Sequence, residues 1–200
     1  MQSSSVTLDT LYFGTPVALA STTNPDGTTN LSPISSYWAL SNTVVMGISK
    51  AGRCYQNLTR HPEAVLNLPD ASLWKNVEAI AATTGCEHVP ERKVGMGYRH
   101  VADKFHLANV QPSASRFVRP QRVRECPIQV ELELVRLHQL ELDMQSDLIA
   151  AELRAVCVHA HTDLVTPQGR IAVERWKPLY YVFRHYCTLG AWLGKNFRAT

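Results

Sequence analysis

The chain contains 200 residues, of which 45% are hydrophobic and 18% are charged, and it carries a formal net charge of +3. This hydrophobic content excludes a disordered or fibrous protein, and the length suffices for one domain with a sizeable core. The weak, scattered positive charge predicts no nucleic-acid partner. Because soluble domains carry roughly 25% charged residues, the low charged fraction favours an oligomer with part of its surface covered.

The cysteines and the N-terminal residues indicate the cellular compartment. Five cysteines are dispersed along the chain without a CxxC pair, a pattern typical of neither a disulfide framework nor a zinc site. Residues 1–10 are polar and show no signal-peptide pattern, so we expect a flexible or arm-like N terminus. The sequence contains no run of about 18 apolar residues, so no membrane-spanning helix is predicted. We therefore expect a cytoplasmic protein without a membrane partner, folded as a single domain over residues 1–200.

The first quarter of the chain predicts paired strands and a neutral surface. Residues 16–22 and 29–35 are predicted strands, joined by the turn signal Asn24-Pro25-Asp26-Gly27. A further strand is predicted over residues 43–48. Between residues 10 and 49 the only charged side chain is that of the aspartate in this turn. Neutral polar side chains among apolar ones suit contact with a polar, uncharged ring system, and a β-rich core with Ser and Thr on its strand faces is an equally good interpretation.

A cationic turn follows this neutral segment. Residues 53–60 predict a short helix that ends before Pro62, and its start is marked by Ser49, Lys50 and Arg53. Backbone N–H groups, a hydroxyl and two cations at a helix N terminus can together hold a phosphate. As an isolated signal this pattern is weak, and solvated basic side chains at a helix start are the more common case. The GxxxxGK[ST] motif is absent, which excludes a Walker A loop.

The middle of the chain predicts short, alternating elements. Residues 64–68 are a predicted strand, and residues 72–82 a helix capped by Ser72. Residues 85–97 are a predicted loop, and residues 98–108 a second short helix.

The last third of the chain predicts longer strands. Residues 128–134 alternate apolar and polar side chains, as in a half-buried antiparallel strand. Residues 148–161 predict a long strand, although part of this segment is equally compatible with a helix. A turn is predicted over residues 166–169, and residues 179–197 form an aromatic, apolar tail. Many short strands with few helices predict a mainly β fold with peripheral α-helices, most simply a β-barrel.

Two motifs are weak candidates for ligand sites. His159 and His161 lie on one face of a predicted strand with Asp163 beyond them, a spacing that could begin a metal site. Histidines satisfied by neighbouring groups, or one facing a cofactor, are the favoured interpretation, and we predict no metal. Gly95-Met96-Gly97 is followed by His100 where a dinucleotide fingerprint requires a third glycine, which excludes a Rossmann motif.

The arginine-rich segment is predicted to be an exposed crossing, with a contact to a cofactor phosphate as the alternative. Its arginines are Arg116, Arg119, Arg122 and Arg124. No nucleophile-elbow or catalytic-cysteine signature occurs, so hydrolase and thiol mechanisms are poorly supported and the catalytic side chain is unknown.

Several motifs in chain order resemble the flavin reductase-like, FMN-binding split-barrel family, which includes the flavoredoxins. The similarity covers most of residues 11–190. It is carried by Thr15-Pro16-Val17-Ala18-Leu19-Ala20-Ser21-Thr22-Thr23, Asn30-Leu31-Ser32-Pro33, Ser35-Ser36-Tyr37, Asn57-Leu58, Val65-Leu66-Asn67-Leu68-Pro69, Asp103-Lys104-Phe105, Glu125-Cys126-Pro127, Tyr186 and Leu189-Gly190. Two departures are visible: Leu40-Ser41-Asn42-Thr43 replaces an expected Asp-Pro-Pro, and Cys54 replaces a frequent threonine.

The resemblance implies a split β-barrel and a flavin site. By analogy, the isoalloxazine and ribityl contacts are assigned to Asn30, Ser32, Pro33, Ile34 and Ser35. The phosphate contacts are assigned to Ser49, Lys50 and Arg53. The implied cofactor is FMN, with FAD as an alternative, and the family forms homodimers with the flavin near the interface.

Three functions are consistent with this resemblance. The first is an oxidoreductase in which NADH or NADPH donates a hydride to flavin N5, with a partner monooxygenase as one destination of the reduced flavin. The second is a tightly FMN-bound flavoprotein that acts on a specific organic substrate or carries electrons. The third is a non-enzymatic split barrel that binds another ligand.

Overall fold

The computed structural model describes residues 1–8, 11–140, 147–194 and 196. Within them the strands are β1 (Phe13–Pro16), β2 (Ala18–Thr23), β3 (Thr29–Ile34), β4 (Tyr37–Leu40), β5 (Thr43–Ser49), β6 (Glu63–Leu68), β7 (Thr83–Thr84), β8 (Arg99–His100), β9 (Pro112–Ser113), β10 (Arg122–Val123), β11 (Ile128–Gln139), β12 (Leu148–Ala160), β13 (Tyr180–Val182) and β14 (His185–Cys187). The α-helices are α1 (Arg53–Arg60), α2 (Trp74–Ala79), α3 (Glu91–Gly95) and α4 (Lys104–Leu107). Single turns of 3₁₀ helix cover Ala71–Leu73, Thr162–Leu164 and Val173–Arg175.

A seven-stranded antiparallel sheet organises the molecule, with the strand order β3-β2-β6-β11-β12-β5-β4. Its two longest strands, β11 and β12, pair along nearly their whole length with two register shifts. A three-stranded sheet has the order β1-β13-β14, and short pairs join β9 to β10 and β7 to β8. The described residues are therefore mainly β with short helices at the periphery, as expected from the sequence.

Two apolar layers lie on opposite faces of the central strands. Because successive side chains of a strand point to opposite faces, Ala18 and Ala20 of β2 enter one layer, whereas Leu19 enters the other. The first layer also contains Met46 and Leu132, and α1 packs against it. Helices α2 and α4 cover the second layer. Strand β2 is consequently buried on both faces.

The N-terminal hairpin and the long C-terminal strand confirm the sequence predictions. Strands β2 and β3 pair from Thr23 opposite Thr29, around the predicted turn, in which Gly27 has a φ of +85°. The side chain of Asp26 accepts hydrogen bonds from the N–H and hydroxyl of Thr28, which stabilises the turn. Helix α1 has the predicted bounds. The helical alternative for residues 148–161 is wrong, because this segment forms β12 between β11 and β5.

Three predictions for residues 72–108 are wrong in detail. The helix predicted over residues 72–82 begins as a 3₁₀ turn, and its cap is Asp70, whose carboxylate accepts the N–H of Ser72 at 2.9 Å. The predicted loop over residues 85–97 contains α3. The helix predicted over residues 98–108 is reduced to α4, because Asp103 caps it by accepting the N–H of His106. Local capping aspartates thus set both helix starts.

The predicted alternation of β11 is only partly confirmed. The strand forms and is antiparallel to its neighbours, but Gln129 and Glu131 of its predicted polar face are buried. The loop that carries Arg116 and Phe117 covers this face, and the backbone N–H groups of both residues donate to the Glu131 carboxylate. A polar side chain that receives such hydrogen bonds can be buried without a large penalty.

Outside β13 and β14, the described residues at the two chain ends, 1–8 and 188–194 with 196, form no helix or strand. Residues 1–8 are exposed and lie outside helices and strands, and the rest of the predicted arm, Asp9 and Thr10, lies outside the described residues. In the aromatic tail, Trp192 and Leu193 are exposed, whereas Phe197 lies outside the described residues. Among the described residues, no helix combines the length and apolar character needed to span a membrane.

Candidate functional site

A cavity of about 360 Å³ lies where β3, β5 and the start of α1 meet. One wall is the end of β3 and the link to β4, which present Ser32, Pro33, Ile34, Ser35 and Ser36. All five side chains are neutral, and three of them carry hydroxyl groups. This wall offers hydrogen bonds and apolar contact without a fixed charge.

The other walls come from five separate segments of the chain. They are formed by Tyr12, Gly47, Ile48, Ser49, Gly52, Arg53, Cys54, Ala81, Thr83, Thr84, Gly85, Lys93, Tyr98 and Lys104. Three of these residues are cations, and none of the described residues that line the space is acidic. We refer to this space as the cationic cavity.

The three cations are held by hydrogen bonds to backbone carbonyl groups. Arg53 Nε donates to the carbonyl oxygen of Gly85 at 2.8 Å, and Lys93 Nζ donates to that of Ala51 at 3.3 Å. Lys104 Nζ donates to the carbonyl oxygen of Leu31 at 2.8 Å. Carbonyl partners position a cation without neutralising its charge, so the cavity keeps a positive potential suited to an anionic group.

Lys104 is the most deeply buried of the three, with 2% of its surface exposed. Burial lowers its pKa to about 8, and the nearby charges of Lys93 and Arg53 add to this effect, whereas the Cys54 and Cys86 thiols oppose it. Burial also raises the pKa of the Cys54 thiol to about 12, so that thiol remains neutral near pH 7. The lysine is therefore a cation at neutral pH that loses its proton within the mildly alkaline range.

The start of α1 adds backbone donors to the same cavity. Gly52 is the N-cap residue, no described side chain caps the first turn, and that turn contains no acidic residue. Gly52, Arg53 and Cys54 all line the cavity. The unpaired N–H groups at a helix start and the positive end of its dipole favour an anion there.

Gly85 permits a close approach between two parts of the site. A Cβ atom at this position would collide with Asn30 Oδ1 and would lie 3.0 Å from Cγ of Arg53. A larger residue would therefore displace either the buried amide or the guanidinium group. The glycine allows the segment from β7 to close against both side chains.

Six of the eight side chains assigned to the flavin site line this cavity: Ser32, Pro33, Ile34, Ser35, Ser49 and Arg53. The other two do not. Asn30 is buried behind the wall, where its amide donates to Ser32 Oγ at 3.0 Å. Lys50 lies beside the cavity, and its backbone N–H donates to the carbonyl oxygen of Asp147. The structure thus gives Asn30 a positioning role and leaves Lys50 outside the lining.

The hydroxyl group of Ser49 already has two protein partners. It donates to Asp147 Oδ2 at 2.6 Å and accepts the N–H of Ala51 at 3.2 Å. Its proton is therefore committed to a carboxylate, and its main role is to shape the turn before α1. Lys93 lines the cavity, although it was not predicted from the sequence, whereas the predicted Lys50 does not.

A second cavity of about 380 Å³ adjoins the first. The two share Tyr12, Pro33, Ile34, Ser35, Ala81 and Tyr98. Its other lining residues are Val17, Val77, Glu78, Ala82, Tyr181 and Tyr186. We refer to it as the tyrosine cavity, because four tyrosines line it.

The arginine-rich segment lies away from both cavities. Arg119 contacts His61 Nδ1 at 2.8 Å, and Arg122 donates to Gln129 Oε1 at 2.9 Å. Arg116 lies over the ring of Phe117, and Arg124 is exposed. The expected exposed crossing is confirmed for three of the four arginines, Arg122 being half-buried, and the alternative contact with a cofactor phosphate is not supported.

The paired histidines also have other partners. His161 Nε2 contacts the carbonyl oxygen of Arg124 at 2.8 Å, and His159 Nε2 lies 2.6 Å from Glu131 Oε1. Neither lines a cavity described above. Of the two interpretations that the sequence favoured, the structure supports histidines satisfied by neighbouring groups, and it does not support one that faces a cofactor.

Glu131, Cys157 and His159 present possible metal-ligand atoms within 4.8 Å of one another. The carboxylate, however, already accepts the backbone N–H groups of Arg116, Phe117 and Val118. Although burial raises the pKa of Glu131, these hydrogen bonds and the contact with His159 lower it overall. The ionised Glu131 carboxylate therefore holds the loop of residues 116–118 over the sheet by hydrogen bonds.

The unforeseen site residues come from segments that were predicted as a loop or helix. Lys93 and Tyr98 lie in and beside α3, and Lys104 lies in α4. Lys104 stands within the Asp103-Lys104-Phe105 motif that supported the family resemblance, which was the only sequence signal for it. Thr83, Thr84 and Gly85 gave no such signal.

Comparisons with known proteins identify the family of the chain. The family model described as the flavin reductase like domain matches residues 10–190. An uncharacterized protein, YdfE, of Bacillus subtilis (strain 168) is 39% identical over 189 residues, which cover 94% of this chain and 90% of that protein.

Two solved structures show the same fold. Flavoredoxin of Desulfovibrio vulgaris (Miyazaki F) superposes with a TM-score of 0.79 at 19% identity, covering 99% of each chain. A putative flavin reductase with a split barrel domain from Shewanella frigidimarina NCIMB 400 gives a TM-score of 0.73 at 18% identity, covering 93% of this chain and 87% of that one. The fold is thus the split β-barrel that the resemblance implied, and the chain belongs to the flavin reductase-like family.

Proposed function

We propose that the protein is an FMN-dependent oxidoreductase that takes a hydride from NADH or NADPH. The observation that carries the proposal is the cationic cavity, which joins a neutral, hydroxyl-rich wall to three cations and a helix N terminus without an acidic lining residue. A flavin mononucleotide has two matching parts. Its ring system is polar but uncharged, as the wall is, and its terminal phosphate is an anion, which suits the cations and the helix N terminus. The cavity volume of about 360 Å³ lies within the range of small-molecule sites.

The phosphate would lie at the start of α1. Arg53 presents a guanidinium fork there, and Lys93 adds a second cation from α3. Arginine suits phosphate because its planar donors match two oxygens at once. Gly52, Arg53 and Cys54 supply the N-terminal backbone of the helix. This assignment keeps Arg53 from the sequence prediction and replaces Lys50 by Lys93.

The ring system would lie against the end of β3. Ser32, Pro33, Ile34 and Ser35 supply hydroxyl, backbone and apolar contacts without a charge. Asn30 fixes this wall from behind by its hydrogen bond to Ser32 Oγ. Because β3 pairs with the fully buried β2, the wall is preformed rather than assembled on binding.

The flavin would supply the redox chemistry, with N5 as the atom that accepts a hydride. The protein's own contribution is to bind, orient and exclude water. Lys104 Nζ holds a proton at the cavity wall below a pH of about 8 and so favours negative charge near it. The described lining contains no carboxylate and no histidine, and its titratable side chains besides the three cations are those of Tyr12, Tyr98 and Cys54. This lining suits a reaction in which the cofactor carries the electrons.

The family membership supports further parts of the proposal. FMN is preferred to FAD as the cofactor, because Arg53 and Lys93 both lie at the start of α1, a position that suits a terminal phosphate. A homodimer in the cytoplasm remains the proposed assembly, and a partner monooxygenase remains one proposed recipient of the reduced flavin.

Titration with FMN tests the proposal. We expect FMN fluorescence to change on addition of the protein, with a dissociation constant of about 1 μM or below, equivalent to about 8 kcal/mol of binding free energy. Unchanged fluorescence, together with no exchange of heat on mixing, would overturn the proposal and favour the non-enzymatic barrel.

A further inference from the structure

The tyrosine cavity has an aromatic wall that is organised without a ligand. Tyr12 and Tyr181 meet edge to face with ring centroids 5.5 Å apart, and Tyr181 and Tyr186 lie at the same distance in a tilted arrangement. The hydroxyl of Tyr186 donates to Glu78 Oε2 at 2.9 Å. These contacts fix the ring faces and edges, so a planar ligand would find a preformed surface.

The charge of this cavity is opposite in sign to that of the cationic cavity. Glu78 is the one charged side chain among the described residues that line it. A carboxylate favours a cation and disfavours an anion by about 1 kcal/mol at 4 Å even in water. Aromatic faces likewise attract cations. Although Glu78 is exposed, its carboxylate therefore favours an uncharged or positively charged ring over a negatively charged one.

The two cavities are parts of one cleft. They share six lining residues, among them Tyr12, Tyr98 and the Pro33–Ser35 end of the wall. A ring in the tyrosine cavity would therefore lie beside a ligand held in the cationic cavity. A hydride can pass between two ligands in such a cleft only if the reacting atoms come within about 3–3.5 Å of each other.

We infer that the tyrosine cavity is the binding site for the second substrate of the cleft, a planar aromatic ring that is uncharged or cationic, and that Glu78 disfavours anionic rings in it. This inference rests on the proposed function, because the ring must meet a flavin in the neighbouring cavity. It assigns a specificity-determining role to a side chain that the proposed flavin site does not use.

The test uses three probes of nearly equal shape: benzamidine, a cation; benzamide, which is neutral; and benzoate, an anion. Their dissociation constants are measured by ligand-observed NMR with the full chain, both flavin-free and loaded with FMN. We expect benzamidine and benzamide to bind at least about fivefold more tightly than benzoate. In the Glu78→Gln variant we expect the preference for benzamidine and benzamide over benzoate to fall by about fivefold. The FMN dissociation constant of this variant should stay within about twofold of wild type.

Glu174→Gln is the matched control, because Glu174 is exposed and lines neither cavity. It should leave the order of the three probes unchanged. Equal affinity of the wild-type protein for all three probes would overturn the inference, as would an equal change of all three in Glu78→Gln. The proposed function fails separately, through a loss of FMN binding, because the charge preference is also measured in the flavin-free protein.

Discussion

Lys104 Nζ donates a hydrogen bond to the carbonyl oxygen of Leu31 at 2.8 Å, with only 2% of the lysine exposed. This contact links α4 to β3, two elements more than seventy residues apart in the chain. It places an unneutralised cation at the cavity wall, a costly arrangement in the absence of a ligand. We interpret the cost as the consequence of a site prepared for an anion.

The first prediction concerns the pH dependence of FMN binding. Lys104 is charged below its pKa of about 8 and neutral above it, so its attraction for the ligand falls as the pH rises. We expect the FMN dissociation constant to increase about fivefold between pH of about 7 and pH of about 9.5. In Lys104→Met this dependence should disappear. A wild-type protein whose affinity does not change over this range would contradict the role of Lys104.

The second prediction concerns stability without a ligand. The pKa of Lys104 is lowered from 10.5 to about 8 in the folded state, so the unfolded chain binds more protons between these values. The free energy of unfolding should therefore rise with pH across this window, by up to about 3 kcal/mol from this group. Below pH of about 8, Lys104 is protonated in both the folded and the unfolded state. The folded state then carries the full free-energy penalty of the buried charge.

The measurement is urea unfolding of flavin-free wild-type protein and Lys104→Met at pH of about 8 and about 10. Taking the difference between the two proteins cancels the tyrosines and other groups that titrate in this range. We expect wild type to gain stability relative to the variant as the pH rises. A constant difference would show that the pKa of Lys104 is not lowered by burial.

The third prediction separates the phosphate from the ring system. Arg53→Ala should weaken FMN binding by about 1.5–3 kcal/mol, the usual range for a hydrogen bond to a charged group. Riboflavin, which lacks the phosphate, should be affected much less. Lys50→Ala is the matched control, because Lys50 lies three residues before Arg53 and does not line the cavity. Equal losses for FMN and riboflavin would show that Arg53 only shapes the turn.

The fourth prediction concerns Gly85. An alanine Cβ would collide with Asn30 Oδ1 and press against the Arg53 side chain, so we expect Gly85→Ala to weaken FMN binding by about tenfold. Gly95→Ala, at a position with open space around the added carbon, should bind FMN as wild type does. Calorimetric titration of both variants provides the comparison. Wild-type affinity in Gly85→Ala would show that the segment after β7 moves freely.

Local signals in the sequence were sufficient for the hairpin, α1 and the neutral wall. The turn from Asn24 to Gly27 fixes the register of β2 and β3 through its own side-chain hydrogen bonds, so no distant contact is needed to predict it. The breaker Pro62 and the cationic start set the bounds of α1. The wall from Ser32 to Ser35 follows from the hairpin and the family motif.

The remaining features depend on contacts between distant segments. Lys93 and Lys104 reach the cavity only because α3 lies against the turn before α1 and α4 lies against β3, which no local pattern specifies. Glu131 has the spacing of an exposed residue, yet the loop around Phe117 buries it by donating backbone hydrogen bonds. The imidazole of His159 likewise contacts the Glu131 carboxylate and does not line either cavity. Such pairings arise from tertiary structure and override strand periodicity.

The most direct test of the central claim is reduction of the FMN-loaded protein by a nicotinamide in the absence of oxygen. Stopped-flow mixing with NADH, and separately with NADPH, should bleach the visible flavin band within seconds, and admission of oxygen should restore it. Such a result requires both a bound flavin and a ring that reaches it through the shared cleft. If dithionite bleaches the flavin but neither nucleotide does so within minutes, the protein is not a nicotinamide-dependent reductase.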